Sequence, residues 1–322
     1  MRQRRHILIA LACALAAAGG TTAAAGYPAK PVRLLVHFPA GSSTDVIARV
    51  LADKVSAKLG QPIVVDNKPG ADGAIAATEL KRSAPDGYTL LLATNSPMSG
   101  VPAMKKAPPF DPVKDFTPIT DVGRYTFLVY VNAAVPAKTL PEFVAYARSK
   151  PGQLSYAAGN VTGLLSFAAI AQQSRLDMTQ VPYRGEPPAI TDLVGGRIDA
   201  MVATAGTGLP HVQSGRLRAL ATILPKRGAT LPDVPTVQES GFPDFSIAPW
   251  AGLFGPAGMP RDVVAVLNRE FGAAMKQPDV IRKLAEQEFA LSPSTPEALG
   301  ALVRRQLDVH RDILRSAGIE PE

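Results

Sequence analysis

Two stretches of the chain repeat one order of apolar and polar positions. Residues 32–59 pass from a continuous apolar run through a short Gly/Ser/Thr segment into apolar residues at helical spacing, and residues 153–175 repeat this order. Each stretch predicts a buried strand, a loop and a helix whose first N–H groups lack intrahelical acceptors. Because a helix N-terminus attracts negative charge, each loop is a candidate anion site.

The pattern around the first stretch predicts a doubly wound α/β unit. Predicted strands cover residues 32–38, 61–66 and 88–93, and predicted helices cover 44–59 and 73–83. Gly60 is suited to end the first helix. Right-handed crossovers bring the carboxyl ends of such strands to one edge, where ligands bind in this type of fold. Residues 101–120, which contain five prolines, predict a loop that leads away from this unit.

The following residues predict a second α/β unit and a return to the first. Predicted strands cover 127–132, 154–157, 178–182, 198–203 and 217–223, and predicted helices cover 139–149, 162–175 and 189–194. A loop at 231–235 and an extended segment at 245–254 lead back. Three last helices are predicted at 261–275, at 279–289 and after Ser294, which is placed as an N-cap. We therefore expect lobe 1 at 26–124 plus 251–322, lobe 2 at 125–250, and a hinge of two segments.

The first 25 residues have the character of a secretory signal peptide. Three arginines precede an apolar run, which ends in an Ala-x-Ala cleavage pattern at Ala23 to Ala25. The run is too short and alanine-rich to be a membrane anchor. Cys13, the single cysteine, raises a lipoprotein signal as an alternative, but the preceding residues fit it poorly. The sequence thus predicts a cysteine-free protein exported to the periplasm.

Charge and motifs argue against several other classes of protein. The net charge of +7 includes the three leader arginines, and the remaining basic residues form no run, which does not favour nucleic-acid binding. Neither a phosphate-binding GxxxxGK[ST] motif nor a GxSxG nucleophile motif is present. Gly206-Thr207-Gly208 follows a predicted strand but lacks the third glycine of a dinucleotide site. His37, His211 and His310 lack metal-ligand spacing. No cofactor or metal is predicted.

Two α/β lobes joined by two crossing segments are the architecture of periplasmic solute receptors, and the motifs point to one family of them. The motifs are YP (27–28), FPAGSSTD (38–45), GQPIVVDNKPGADG (60–73), APDGYTLLL (84–92), DPVKDFTPI (111–119), YAAGNVTG (156–163), VPYRGEPPAITDLVGGRIDAM (181–201) and LPDVPTVQESG (231–241). Together they closely resemble the Bug-type receptors of tripartite tricarboxylate transporters, over nearly the whole chain after the leader.

This resemblance implies a type II periplasmic-binding-protein (Venus-flytrap) fold, in which backbone amides and hydroxyls of two loops hold a ligand carboxylate. It also implies a receptor that acts as a monomer without cofactors and delivers a small carboxylate to a membrane permease. Carried over by position, the contacts are Phe38, Ala40, Gly41, Ser42, Ser43 and Thr44 in lobe 1, Ala158, Gly159, Asn160, Val161 and Thr162 in lobe 2, and Asn95 and Tyr183 on the walls.

The chain departs from the family pattern in three places. Gly41-Ser42 replaces the usual double glycine, and the second loop is one residue shorter than its common version. Ala203-Thr204 stands where many relatives carry an aspartate, so we expect no cation contact there and a plain or aromatic carboxylate instead of an amino acid.

Three larger side chains near the predicted cleft have two interpretations each. Arg184 is either a ligand clamp or a solvated surface arginine. Trp250 and Tyr183 either stack on a flat ligand or pack in the core or hinge.

Three functions remain open from the sequence. The first is a transport receptor without enzymatic activity. The second is a sensor of the same fold that serves a signalling partner. The third is an exported α/β hydrolase, since a spatial Ser-His-Asp triad does not show in sequence.

Overall fold

The structure is a computed structural model that describes residues 26–228, 231–245, 247, 249–316 and 320–321. The predicted signal peptide therefore lies outside the described residues. The strands are β1 Val32–Val36, β2 Ile63–Asn67, β3 Thr89–Thr94, β4 Phe116–Tyr125, β5 Phe127–Asn132, β6 Leu154–Ala158, β7 Met178–Pro182, β8 Ala200–Thr204, β9 Leu217–Thr222, β10 Trp250–Pro256 and β11 Phe289–Leu291. The helices are α1 Ser43–Leu59, α2 Ala74–Arg82, α3 Val101–Met104, α4 Leu140–Arg148, α5 Val161–Gln173, α6 Glu186–Val194, α7 Ala205–Gln213, α8 Arg261–Ala274, α9 Pro278–Ala285 and α10 Pro296–Ser316.

Two separate sheets form the centres of two lobes. The first sheet has six strands in the order β11-β4-β10-β3-β1-β2, and the second has five in the order β7-β6-β8-β5-β9. In the first sheet β1 is parallel to β2 and β3, with Leu34 opposite Val65 and Leu90, and β10 is antiparallel to β3 and β4. In the second, β6 is parallel to β7 and β8, while β5 is antiparallel to β8 and β9. The fold class predicted from the sequence pattern is confirmed.

Helix α1 shows why the local sequence folds as it does. Its N-cap Ser42 accepts a hydrogen bond from the Asp45 N–H at 3.3 Å, and Gly60 ends the helix with a φ of 68°. The apolar stripe, which includes Ile47 and Leu51, is buried in the core. Burying each such side chain contributes about 1.5–3 kcal/mol, so the stripe fixes the face that α1 turns to the sheet.

The chain passes between the sheets twice. The first crossing is Thr126, whose N–H donates to Glu288 O at 3.1 Å and whose carbonyl accepts from Ala205 N–H at 2.8 Å. The second crossing lies between β9 and β10, and its Pro249 carbonyl accepts from the Tyr125 N–H at 3.3 Å. We propose lobe 1 as 26–124 plus 251–322 and lobe 2 as 125–250, divisions that fall beside these crossings.

Several elements differ from the sequence-based expectations. The proline-rich loop predicted at 101–120 begins with α3 and ends in β4, where Pro118 is tolerated because it lies opposite a register shift in β10. The helix predicted at 279–289 stops at Ala285, and the short edge strand β11 follows. Helix α7 was not predicted because Pro210 lies inside it. At α10 the capping hydroxyl is that of Thr295, which accepts from Ala298 N–H at 3.3 Å, and not that of Ser294.

None of the helices in the described ranges has the length and hydropathy required to cross a bilayer.

Candidate functional site

A small cavity lies between the lobes, beside the carboxyl ends of β1, β3, β6 and β8. Its volume is about 20 Å³, which is room for roughly one water-sized group. The lining residues come from both lobes and are mostly hydroxyl and amide side chains. They are Phe38, Ser42, Ser43, Thr44, Thr94, Asn95, Ser96, Tyr125, Phe127, Asn160, Thr162, Glu186 and Thr204.

Lobe 1 contributes the start of α1. The N–H groups of Ser43 and Thr44 have no acceptor among the residues that the structure describes, as expected for the first turn of a helix. The Asp45 carboxylate does not line the cavity. It accepts hydrogen bonds from Gly41 N–H at 3.0 Å and from Arg49 Nε at 3.0 Å. Burial by itself raises the pKa of Asp45, but these bonds outweigh it and hold the pKa below its usual value.

Lobe 2 contributes the start of α5. Asn160 is the N-cap, and its Oδ1 accepts from Gly163 N–H at 2.8 Å. Over the described ranges, the N–H groups of Val161 and Thr162 also lack an acceptor. Asn160 and Thr162 line the cavity from the side opposite α1. Two helix N-termini, one from each lobe, therefore border the same small space.

Hydrogen bonds between the lobes cross this space directly. Ser43 Oγ lies 2.9 Å from Thr204 Oγ1, and Asn95 Nδ2 donates to Thr162 Oγ1 at 2.7 Å. All four side chains are buried. The two lobes are thus in contact through buried polar groups.

Glu186, the first residue of α6, is the one carboxyl group among these lining residues and is only 4% exposed. Its Oε1 accepts from Asn160 Nδ2 at 2.8 Å and from Thr204 N–H at 3.0 Å, while its Oε2 accepts from the hydroxyls of Thr204 and, at 2.7 Å, Thr207. Burial raises the pKa of Glu186 above its ordinary value, although these four hydrogen bonds act in the opposite direction.

A second cleft of about 190 Å³ adjoins the cavity and shares Phe38 and Asn160 with it. Ala158, Gly159, Tyr183 and Arg184 of the sequence-predicted set line this cleft. The Tyr183 hydroxyl donates to Asp192 Oδ2 at 2.8 Å, and Arg184 is exposed.

The other predicted residues line neither space. Ala40 and Gly41 are exposed, and Val161 is buried at the interface with Gly100. Ala203 is fully buried in the core beside the five-stranded sheet, and Trp250 is fully buried in the core beside the six-stranded sheet. Trp250 packs against Phe254, with ring centroids 6.3 Å apart.

The predicted site residues did not include six residues of the cavity lining: Thr94, Ser96, Tyr125, Phe127, Glu186 and Thr204. Tyr125 and Phe127 flank the first crossing, and Thr204 ends β8. A signal for Glu186 was present, because it lies in the motif at 181–201 used for the resemblance.

The described residues bring together no group of three or more His, Cys, Asp or Glu side chains that would hold a metal ion.

Known proteins similar to this chain include several receptors of one family. The sequence profile described as "Tripartite tricarboxylate transporter family receptor" matches residues 47–319. The chain is 32% identical over 314 residues to Protein BugT of Bordetella pertussis, covering 97% of this chain and 96% of BugT. The solved periplasmic binding protein BugD superposes with a TM-score of 0.88 at 31% identity, covering 92% of this chain and 100% of BugD. MatC of Rhodopseudomonas palustris, solved with bound malate, superposes with a TM-score of 0.85 at 31% identity, covering 89% of this chain and 100% of MatC. The predicted two-lobed periplasmic-binding-protein fold is confirmed.

Proposed function

Because the chain belongs to the receptor family of tripartite tricarboxylate transporters, we propose that it is an extracytoplasmic receptor that binds a small carboxylate-bearing organic acid. It captures the acid between its lobes and delivers it unchanged to a membrane permease. It acts as a monomer in the periplasm, after removal of the signal peptide predicted at 1–25.

The observation that carries this proposal is the pair of helix N-termini at one cavity. The unpaired N–H groups of Ser43 and Thr44 in lobe 1, and of Val161 and Thr162 in lobe 2, belong to the first turns of α1 and α5. Such groups bind anions through hydrogen bonds and through the helix dipole. A carboxylate between them accepts from both lobes and so favours their closure.

The size of the cavity supports a mechanism with lobe opening. About 20 Å³ does not hold a carboxylic acid of several heavy atoms. Entry therefore requires the lobes to separate, which breaks the Ser43–Thr204 and Asn95–Thr162 hydrogen bonds. The bound acid then replaces these contacts with its own oxygen atoms. In this scheme the affinity for the acid depends on the equilibrium between the open and closed lobes, and binding shifts that equilibrium towards the closed form.

The residues around the cavity favour binding over hydrolysis. Thr94 contacts a histidine, with its Oγ1 at 3.1 Å from His37 Nε2. Burial lowers the pKa of His37 to about 3, so its imidazole is too weak a base to activate a hydroxyl near neutral pH. Malate bound to the solved relative MatC is in keeping with an acid as the ligand.

A thermal-shift panel followed by calorimetry tests the proposal. The panel contains succinate, malate, glutarate, adipate, citrate, benzoate, aspartate and glutamate. We expect at least one acid to raise the melting temperature by several degrees, because a ligand at a hundredfold excess over its Kd adds about 2.7 kcal/mol to stability. Calorimetry is expected to give one site per chain and unchanged ligand after incubation. Ester turnover, or no stabilisation by any acid, would contradict the proposed function.

A further inference from the structure

Three oxygen atoms at the boundary between the lobes lie within hydrogen-bond distance of one another. Thr207 Oγ1 is 2.7 Å from Glu186 Oε2 and 2.6 Å from Thr204 Oγ1, and Thr204 Oγ1 contacts Glu186 Oε2 directly. Each of these three contacts needs one hydrogen between its two oxygen atoms. The two threonine hydroxyls supply only two hydrogens, so the third has to come from the carboxyl group.

The other oxygen of Glu186 shows where this proton lies. Oε1 accepts from Thr204 N–H at 3.0 Å and from Asn160 Nδ2 at 2.8 Å, and the Asn160 amide is oriented by its Oδ1, which accepts from Gly163 N–H. Because Oε1 is occupied by two donors, the proton lies on Oε2. Glu186 then donates to one threonine hydroxyl and accepts from the other, so the proton reverses one of these two hydrogen bonds and closes a ring of three.

The ionisable groups on the neighbouring elements provide no positive partner for an ionised Glu186. They are Tyr125 of β4, Tyr130 of β5, Asp45 and Arg49 of α1, His211 of α7, Glu288 before β11 and the exposed Arg184 before α6. Asp45 and Arg49 pair with each other, and burial raises the pKa of both tyrosines and lowers the pKa of His211. Over the residues that the structure describes, none of these groups forms an ion pair with Glu186. A buried carboxylate without such a partner gains a proton instead, and burial raises the pKa of Glu186.

Lobe 1 covers this ring of hydrogen bonds through Ser43. Its Oγ lies 2.9 Å from Thr204 Oγ1 and 3.4 Å from Thr207 Oγ1, and Glu186 is only 4% exposed. Separation of the lobes removes Ser43 and admits water to the ring. The pKa of Glu186 then falls towards its ordinary value of 4.5, so the side chain ionises near neutral pH.

A bound carboxylate favours the protonated form of Glu186 as well. Glu186 lines the same cavity of about 20 Å³ as the first residues of α1 and α5. An acid held by these helix starts therefore lies close to Glu186, and a like charge at such a distance favours the neutral form of a carboxyl group.

We infer that Glu186 binds a proton when the lobes close on an acid and releases it when they open, so that capture of one carboxylate takes up one proton from the solvent. This inference rests on the proposed function. Between the ordinary pKa of Glu186 and its raised pKa in the closed form, each rise of one pH unit weakens binding about tenfold, because the open form has to gain a proton as it closes.

Calorimetry in phosphate and in Tris, two buffers with different enthalpies of ionisation, counts the protons taken up on binding. The probe is the most stabilising acid of the thermal-shift panel other than citrate, because citrate itself titrates near neutral pH. We expect about one proton per bound acid at pH 7.5, and an affinity about tenfold weaker at pH 7.5 than at pH 6.5. Binding without proton uptake and with equal affinity at both pH values overturns the inference and leaves the proposed function intact. No binding by any acid of the panel overturns both.

The variant Glu186→Gln identifies the residue responsible. Its amide oxygen accepts where Oε1 does and its NH₂ group donates where the protonated Oε2 does, so it resembles the protonated side chain at every pH. We expect it to bind the acid without proton uptake, with one affinity at both pH values, and at least about tenfold more tightly than the wild type at pH 7.5. The control Glu297→Gln makes the same change at an exposed position of α10 and should keep the wild-type pH dependence. Retained proton uptake in Glu186→Gln, or an equal loss of affinity at both pH values, overturns the assignment to Glu186.

If Glu186→Gln does not fold, carbon-13 NMR of the wild-type protein saturated with the same acid decides the question. The chemical shift of a glutamate side-chain carboxyl carbon reports whether the group is protonated. We expect one glutamate of the complex to be protonated at pH 7, whereas a complex in which every glutamate is ionised would overturn the inference.

Discussion

Gly206, the second residue of α7 in lobe 2, faces Ser43 and Gln287 of lobe 1 with no space for a side chain. A Cβ at this position would lie 2.6 Å from Ser43 Oγ and 2.1 Å from Gln287 Oε1. The Gln287 side chain can rotate away, but the Ser43 hydroxyl is held by its hydrogen bond to Thr204. We therefore predict that Gly206→Ala prevents full closure of the lobes.

The structure gives the size of this effect. Ordinary contact begins at 3.4 Å, so the lobes must separate by about 0.8 Å at this point to relieve the 2.6 Å approach. The same widening would stretch a hydrogen bond of 2.9 Å, the length of the Ser43–Thr204 bond that a bound acid replaces, beyond hydrogen-bond distance. Loss of one such interaction costs about 1 kcal/mol, which corresponds to roughly a fivefold weaker affinity for a ligand that binds the closed state.

Calorimetry and small-angle X-ray scattering measure affinity and closure separately. The ligand is the acid that most stabilises the wild-type protein in the thermal-shift panel. We expect Gly206→Ala to bind it about fivefold more weakly and to keep a larger radius of gyration at saturation. Gly272→Ala in α8 is the control, since its Cβ meets nothing within 4 Å. Wild-type affinity and wild-type compaction in Gly206→Ala would refute the reasoning.

Three further changes test other parts of the account. Burial lowers the pKa of His37 from 6.5 to about 3, so between these pH values the unfolded chain binds one proton more than the folded chain, and the free energy of unfolding falls as the pH drops below 6.5. Between pH 7 and pH 5, urea denaturation should show that His37→Gln loses about 2 kcal/mol less stability than the wild type. Equal losses in the two proteins would contradict this. Tyr125→Phe removes the buried 2.8 Å hydrogen bond to Thr44 and should lower the free energy of unfolding by about 1 kcal/mol, whereas unchanged stability would refute a role for that bond. Gly41 has a φ of 81°, and a Cβ added there would meet nothing within 4 Å. The strained backbone of Gly41→Ala should therefore cost about 1–2 kcal/mol of stability, while the affinity for the ligand should change less than about threefold. A large loss of affinity would instead indicate that the Gly41 backbone contacts the ligand.

The helix starts that carry the proposed function could be predicted from local sequence. The helices predicted from residues 44 and 162 begin at Ser43 and Val161, one residue earlier in each case, with Ser42 and Asn160 as N-caps. The two-lobed order of elements was likewise predictable, because strands and helices alternate with well-marked turns. These features depend on residues close together in the chain.

The carboxyl group in the cavity could not be predicted in this way. Glu186 precedes two prolines at the start of a helix, where an acid ordinarily faces solvent and the helix dipole. Only the fold brings it to Thr204, 18 residues away in the sequence. Reasoning from Ala203 considered one strand alone and so missed an acid supplied by the neighbouring α6.

Trp250 was a candidate ligand contact because its aromatic ring could stack on a flat ligand, but the structure places it in the core. It begins β10, which lies between β3 and β4 near the middle of the six-stranded sheet. A strand in that position is covered on both faces, so the indole is fully buried. Sequence alone did not reveal that 245–254 contributes a central strand.

A crystal structure with the most stabilising acid bound is the most direct test of the central claim. We predict that one carboxylate lies within about 3 Å of N–H groups from both helix starts, those of Ser43 or Thr44 in lobe 1 and of Val161 or Thr162 in lobe 2. An acid held by only one lobe, or held by the Arg184 side chain away from both helix starts, would contradict it.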